Sequence, residues 1–191
     1  MDEKMIFQKI RQGSREALGL LWKAHSEHVL NLAFRMLKNR DEAEDILMDI
    51  FVLVPTAAHS FRGESTMGTW LYKLTVNACL MKLRAQKRHR ELEEEHYGDI
   101  TENAFGVLSE TVSGMFQSKS KILEAGLNKL NAETRSMIWL KDAEDLDIKD
   151  LADIYNMPEG TIKARLSRAR HFLKSFINEA EKESIKEEAY A

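Results

Sequence analysis

The sequence predicts an all-α protein built from two small helical bundles that a flexible linker joins. Glycine and proline number only 9 and 2 among 191 residues, and this scarcity disfavours a fold dense in turns. Residues 1–90 and 119–180 are the two predicted bundles. Within them, apolar residues recur at steps of three and four from Leu18 to Met81 and from Ile122 to Phe176, the period of an amphipathic helix. Residues 91–118 lack a steady period and are predicted to form the linker. Residues 181–191 would form an acidic tail.

Capping signals divide the first bundle into three predicted helices. Ser14 precedes an apolar stripe that continues to Met36, and a serine at that position accepts a hydrogen bond from a free backbone N–H. Asp41 is the predicted cap of the second helix, which Pro55 should kink or end because proline lacks a backbone donor. Thr69 is the predicted cap of the third helix, which runs into a basic cluster.

The second bundle is predicted to end in a helix-turn-helix. Asn131 and Asp147 can cap two helices, and a break at Asn156 is followed by Pro158, a residue suited to a first helical turn. The final helix then carries apolar residues along one side, namely Ile162, Leu166, Ala169, Leu173 and Phe176. A short helix, a tight break and an amphipathic second helix together indicate this motif.

Composition excludes several classes of protein. Hydrophobic residues make up 43% and charged residues 31% of the chain, so the chain can bury a core. Cys79 is the single cysteine, which rules out an intrachain disulfide, and no apolar run approaches about 18 residues. Neither metal-ligand spacing of histidines nor a phosphate-binding glycine loop is present. We therefore expect a cytoplasmic protein that does not insert into membranes and has no catalytic activity, metal or cofactor.

Charge is unevenly distributed although the net charge is only −3. Acidic residues concentrate in four segments, 41–49, 91–95, 142–153 and 179–188. Basic residues form two clusters, one of Lys82, Arg84, Lys87, Arg88 and Arg90, the other of Lys163, Arg165, Arg168, Arg170 and Lys174. Two basic patches in an acidic chain indicate local contact with nucleic acid and further surfaces for other partners.

The final helix has the chemistry of a reader of the DNA major groove. Lys163, Ser167 and Arg168 lie near the start of its exposed face, where side chains reach base edges. Arg165 and Arg170 flank this face, and together with Lys174 they are better placed for phosphates. Gly160 would permit a close approach of phosphate or of a packing partner. From composition alone, a solvated amphipathic helix that does not bind DNA is an equally good interpretation.

Residues 159–170, EGTIKARLSRAR, resemble the "GTVKSRLxRAR" signature of the minus-35-reading domain of extracytoplasmic-function sigma factors. Leu127 to Arg135 and residues 150–154 resemble segments just upstream of it. This motif alone would leave other helix-turn-helix regulators, such as the LuxR type, open. The resemblance implies minus-35 contacts from Thr161, Lys163, Ala164, Arg165, Ser167, Arg168 and Arg170.

The first bundle carries two further segments of the same family in the family's order. Residues 42–51 resemble "DAEDLVQEVF", the helix that docks on the clamp helices of the polymerase β′ subunit, and residues 61–77 resemble "FRGDS…TWLYRIAxN", the minus-ten loop and its following helix. The implied polymerase contacts are Asp41, Glu44, Asp45, Met48 and Asp49. The implied minus-ten contacts are Arg62, Gly63, Glu64, Ser65, Asn77, Lys82 and Arg84.

The resemblance implies a group 4 sigma factor that directs the core enzyme to promoters, typically in a stress response. Its expected partners are the β′ clamp helices and the β flap of RNA polymerase, double-stranded and melted promoter DNA, and an anti-sigma factor. It is expected to be monomeric when free of them. A polar loop between packed helices can hold an unstacked base, and the resemblance assigns contact with that base to Asn77.

Ordinary interpretations of the same residues stay open. Without the resemblance, Asn77 would be interpreted as a helix-surface or a buried capping asparagine. The acidic face from Asp41 would be a solvated one, and Lys82 part of a charged helix end. Met48 and Pro55 stand where relatives carry glutamine and often an aromatic residue, and residues 163–164 also depart from the common pattern. The alternative functions are a stand-alone helix-turn-helix regulator, which gives no account of residues 61–77, and a helical enzyme, for which the sequence has no catalytic motif.

Overall fold

A computed structural model describes residues 3–96 and 119–190 of the chain, which are helical apart from short connections and contain no strand. The predicted all-α class is confirmed. The elements are α1 (Glu3–Arg11), α2 (Arg15–Leu37), α3 (Arg40–Ala57), a 3-10 turn (Ala58–Ser60), α4 (Met67–His96), α5 (Lys119–Lys129), α6 (Ala132–Asp142), α7 (Ile148–Tyr155) and α8 (Glu159–Tyr190).

Side-chain caps set the starts of the first helices, two of them at residues other than those predicted. Ser14 accepts from the Ala17 amide at 3.2 Å, as predicted. Asp41 lies inside α3, whose cap is Asn39, two residues earlier in extended conformation. Thr69 is buried within α4, and its amide donates to the hydroxyl of Thr66 at 3.1 Å. Both corrections have one cause. The cap must be the last residue with non-helical backbone angles, and Asp41 and Thr69 already lie inside their helices.

Pro55 lies within α3, which ends two residues later at Ala57 and tightens into the 3-10 turn Ala58–Ser60. A proline near the end of a helix removes one donor from the last turn. The helix therefore ends close to Pro55, as the sequence predicted.

The sequence pattern did not predict α1, whose structure depends on an aromatic cluster. The ring of Phe7 stacks on Phe61 with centroids 4.0 Å apart and meets Trp70 edge-on at 5.2 Å. Arg11 donates to the carbonyl oxygens of Ala58 and Phe61 at 2.8 and 2.5 Å. α1 therefore braces the segment that leads into the polar loop.

In the second bundle the predicted caps are confirmed. Asn131 accepts from the Thr134 amide at 2.8 Å and Asp147 from the Asp150 amide at 2.7 Å. Asn156 closes α7 in the left-handed conformation, with φ of 51°. The predicted apolar side of α8 is buried except for Phe176, which is half-buried; its buried members are Ile162, Leu166, Ala169 and Leu173.

Two helices continue past predicted segment boundaries. α4 continues to His96, six residues past the predicted end of the first bundle, and the rest of the predicted linker, 97–118, lies outside the described residues. α8 extends to Tyr190, so residues 181–190 of the predicted tail continue that helix. The two bundles touch through α2 and α4 on one side and α6 and α7 on the other.

Two glycines offer a matched test of the packing between α5 and α8. A methyl group at Gly19 would meet no described residue within 4 Å, so Gly19→Ala should raise the free energy of unfolding by about 0.5–1 kcal/mol. A methyl group at Gly126 would lie 3.0 Å from Leu173 and Phe176, so Gly126→Ala should lose that gain or destabilise. Urea unfolding measures both; equal stabilisation would contradict the close packing.

Candidate nucleic-acid interface

The solvent-facing side of α8 is polar and basic. Lys163, Ala164, Ser167 and Arg168 are exposed, and Thr161 is half-buried at the first turn. The Arg168 guanidinium bonds the Ala164 carbonyl at 3.3 Å, with no carboxylate partner among the residues described. Lys163 lies 3.4 Å from Glu159. The positions predicted to reach base edges therefore share one accessible face.

The two flanking arginines are held by acidic residues of α6. Arg165 pairs with Glu133 in a half-buried contact, and Arg170 lies 2.5 Å from Asp142. These pairs fix the guanidinium positions and neutralise part of their charge. The sequence identified both arginines but missed their partners, because residues about 30 positions apart show no local periodicity.

Gly160 meets no packing partner within the part of the chain that the structure describes. A Cβ at this position would have no heavy atom of residues 3–96 or 119–190 within 4 Å. Of the two roles considered for it, close packing is therefore wrong, and close approach of phosphate stays a prediction.

The polar loop between Phe61 and α4 is open to solvent. Arg62, Gly63 and Glu64 are exposed, Ser65 is half-buried, and Gly63 adopts φ of 75°, a left-handed conformation that glycine adopts without strain. The loop emerges beside the ring cluster of Phe61, Trp70 and Phe7, which supplies an apolar wall at its base.

On α4, the predicted minus-ten residues divide between two faces. At 100° per residue, Lys73, Asn77 and Arg84 fall within about 40° of one another, so they form one stripe. Asn77 and Arg84 are exposed. Lys82 points the other way and lies 3.6 Å from Asp45 of α3. The structure thus groups Asn77 with Arg84 and separates Lys82 from both.

A shallow groove of about 480 Å³ lies between α3 and α4. Its apolar members include Met48 and Met81, whose exposed fractions are 56% and 68%. Asp45, Met48 and Asp49 line it as three of the five predicted polymerase contacts, together with Ile46, Ala78, Met81 and Lys82.

The remaining predicted polymerase contacts lie outside the groove. Asp41 is exposed in the first turn of α3, and Glu44 pairs with Arg40 at 2.6 Å. Val52, one turn beyond Met48, is 76% exposed and continues the same face. Sequence reasoning missed Val52, although its four-residue spacing from Met48 would have placed it there.

Comparison with known proteins identifies the family. The protein-family model described as Sigma-70 region 2 matches residues 21–89. The family model described as Sigma-70, region 4 matches residues 120–173. The chain is 30% identical over 188 residues to the ECF RNA polymerase sigma factor SigW of Bacillus subtilis, with 93% of this chain and 99% of the relative covered. The chain belongs to the extracytoplasmic-function sigma factors.

Further relatives are consistent with this membership. The sigma factor is 27% identical over 183 residues to the ECF RNA polymerase sigma-E factor of Haemophilus influenzae, with 93% of this chain and 96% of the relative covered. It matches the sigma factor RpoE of Bartonella quintana, solved in complex with the anti-sigma factor NepR, at 26% identity and a TM-score of 0.60 over 86% of this chain and 96% of that one.

A second solved structure shares the fold. CnrH, solved with the cytosolic domain of CnrY, matches this sigma factor at 18% identity and a TM-score of 0.64, covering 92% of this chain and 97% of that chain.

The sigma factor directs RNA polymerase core enzyme to specific promoters and initiates DNA-templated transcription. Because both sigma regions match, its helix-turn-helix does not belong to a stand-alone regulator.

Within the part of the chain described, the sigma factor has no group of three or more histidine, cysteine, aspartate or glutamate side chains arranged to hold a metal ion. Cys79 is buried, and burial raises the pKa of its thiol to about 12. No helix among the described residues is both long and apolar enough to span a membrane.

Proposed function

We propose that the sigma factor uses three separate faces, one on each of α3, α4 and α8, for core polymerase, the minus-ten element and the minus-35 element. The observation that carries the proposal is that each of the three faces has exposed side chains and a different chemistry, the stripe on α4 being exposed at Asn77 and Arg84. The face of α3 is acidic with apolar side chains, the stripe on α4 is polar and basic, and the face of α8 is basic around a serine.

The face of α8 is proposed to read the minus-35 element in the major groove. Arg168 extends from it without a carboxylate partner among the described residues, and a guanidinium in this position can make two hydrogen bonds to guanine. Lys163 and Ser167 flank it on the same exposed side, with Thr161 and Ala164 nearby. Arg165 and Arg170, held by α6, suit phosphate contacts that set the register.

The minus-ten strand is proposed to run along α4 from the loop Arg62–Ser65 toward Arg84. Asn77 lies about 15 Å along the helix from Met67, so one strand would pass the loop before it reached this side chain. The Phe61 and Trp70 rings beside the loop can stack on an unpaired base. Lys82 better suits the groove next to Asp45 than the strand.

Core polymerase is proposed to dock on α3 through its β′ clamp helices. Met48 and Val52 would enter an apolar pocket of the partner, while Asp45 and Asp49 meet basic side chains around it. The second bundle is proposed to contact the β flap, the partner that the family resemblance assigns.

We further propose an anti-sigma factor as a regulatory partner. The related RpoE of Bartonella quintana was solved in complex with the anti-sigma factor NepR, which supports a partner of this class. The sigma factor is proposed to act in the cytoplasm, as a monomer when unbound, without a catalytic activity or cofactor of its own.

Run-off transcription with sigma-free core polymerase and a library of double-stranded promoters tests this assignment. Asn77→Ala is expected to lower the yield of run-off transcript about tenfold. The variant lacks hydrogen bonds to an unstacked base and should therefore form fewer open complexes. Its matched control is Asn178→Ala, an exposed asparagine near the end of α8, which should leave transcription unchanged.

The results with and without core polymerase decide the proposal. Transcripts that start downstream of a shared pair of elements, and that weaken with Asn77→Ala but not with Asn178→Ala, support the proposal. Equal activity of both variants would contradict the role of Asn77. Specific promoter binding by the protein alone, with no binding to core, would contradict the proposed three-face mechanism.

A further inference from the structure

The two bundles meet through a network of specific polar contacts. The Tyr72 hydroxyl donates to the Glu144 carboxylate at 2.5 Å, and His28 Nδ1 lies 3.0 Å from the same carboxylate. The Trp139 ring packs edge-on to Tyr72 with centroids 6.4 Å apart, and the Arg35 guanidinium lies 5.2 Å from its centroid on the ring face. One glutamate and one tryptophan of the second bundle thus contact two helices of the first.

Arg135 makes the most deeply buried of these polar contacts. Only 8% of this residue is exposed, and its guanidinium donates to the carbonyl oxygens of Arg35 and Met36 at 2.6 and 3.3 Å. It also donates to the Leu130 carbonyl at 3.1 Å. Carbonyls at a helix C-terminus carry partial negative charge and favour a cation. Because a buried charge is costly without such partners, this arrangement specifies how the bundles dock.

The docked second bundle reaches the stripe on α4. The Lys73 ammonium donates to Asp153 of α7 at 2.7 Å, and Lys73 lies one helical turn from Asn77 on the same side. α7 also carries Asp150, whose pKa is raised by burial and by the neighbouring carboxylates of Asp147 and Asp153. A crowded row of carboxylates therefore lies at one end of the face to which the promoter strand is assigned.

We propose that this contact is an autoinhibitory latch, in which acidic α7 occupies the Lys73 end of the strand-binding stripe until the bundles separate. A carboxylate on Lys73 takes the position that a phosphate of the strand would need, and both cannot bind one ammonium group. Glu144 and Arg135 hold α7 there through their contacts with α2 and α4. The proposal rests on the proposed function, since it requires that the strand binds along α4.

Distance measurements between the bundles test the latch. Thr56→Cys on α3 and Ser175→Cys on α8 provide two exposed labelling sites, while buried Cys79 is protected from the spin label. The latch variant combines Glu144→Gln with Asp153→Asn. Its control combines Asp145→Asn with Glu179→Gln, which makes the same change in net charge at two exposed sites. Asp145 pairs with Lys141 of its own bundle and has the left-handed φ of 52° that asparagine tolerates.

Pulsed electron paramagnetic resonance should give one short, narrow distance for the labelled parent and the control, and a longer, broader one for the latch variant. A fluorescein-labelled 20-nucleotide single strand of mixed sequence should bind the latch variant about tenfold more tightly than the control at low salt. Circular dichroism confirms that helix content is equal in all three proteins.

Either readout can overturn the inference. An unchanged distance in the latch variant would show that these contacts do not hold the bundles together. A longer distance without tighter strand binding would show that α7 does not cover the strand site. Run-off transcription with core polymerase is measured in parallel on unlabelled protein that retains Thr56 and Ser175. Activity of this protein together with a failed latch leaves the proposed function intact. If this protein is inactive, the proposed function is contradicted, while the distance measurement still decides whether the two bundles are docked.

Discussion

Replacement of Val52 by lysine is expected to weaken binding of the sigma factor to core polymerase about 100-fold. Val52 is 76% exposed and continues the face of Met48 beside Asp45 and Asp49. An exposed apolar side chain next to acidic residues is typical of an interface residue that becomes dehydrated on binding. Lysine would bring an unpaired charge into that contact and repel the basic partner surface expected opposite Asp45 and Asp49.

Binding is measured by competition of unlabelled variants against a fluorescently labelled sigma factor for core enzyme. Met5→Lys is the matched control, because Met5 is also an exposed apolar residue within a helix and lysine favours helices. The control should bind core as the parent does. A Val52→Lys variant that binds with parental affinity and folds normally would exclude this face of α3 from the polymerase contact.

Arg168→Ala is expected to lower promoter-dependent transcription by about 10- to 100-fold and to relax selectivity at one position of the minus-35 element. The exposed guanidinium bonds only a backbone carbonyl among the described residues, so its removal should cost little folding stability. Without the Arg168 guanidinium, hydrogen-bonding groups on the edge of a base would have no partner in the complex. The loss of affinity should therefore depend on which base occupies that position.

Lys174→Ala provides the comparison for a phosphate contact on the same helix. Its loss should weaken binding about equally on all promoters and reduce the salt dependence of affinity. Holoenzyme affinity for a set of single-base promoter variants, measured at several salt concentrations, separates the two patterns. If Arg168→Ala also weakens all promoters alike, then Arg168 contacts the backbone and another residue reads the base.

Local patterns predicted the helices well where a cap adjoined a long apolar stripe. Ser14, Asn131 and Asp147 were correct because each stands directly before such a stripe. Asn39 and Thr66 were missed because a cap depends on backbone angles, and a nearby polar residue fits the pattern equally well. α1 was missed because its stability comes from packing against Phe61 and Trp70, far along the chain.

The residues predicted to contact DNA also divide into those that helical spacing groups correctly and those that depend on tertiary packing. Helical spacing alone brings Lys163, Ser167 and Arg168 to one face, so the sequence could predict them together. Adjacency in sequence grouped Lys82 with Arg84, yet two residues along a helix are about 200° apart, and the structure places Lys82 against Asp45 instead.

By itself the sequence determined the all-α class, the two bundles and the family, because caps, helical period and motifs are properties of neighbouring residues. The tertiary structure alone decided which charges are engaged. It joins Arg165 to Glu133, Lys73 to Asp153 and Tyr72 to Glu144, pairs separated by 32, 80 and 72 positions. Such contacts form only when packing brings distant helices together, and a local pattern carries no record of that geometry.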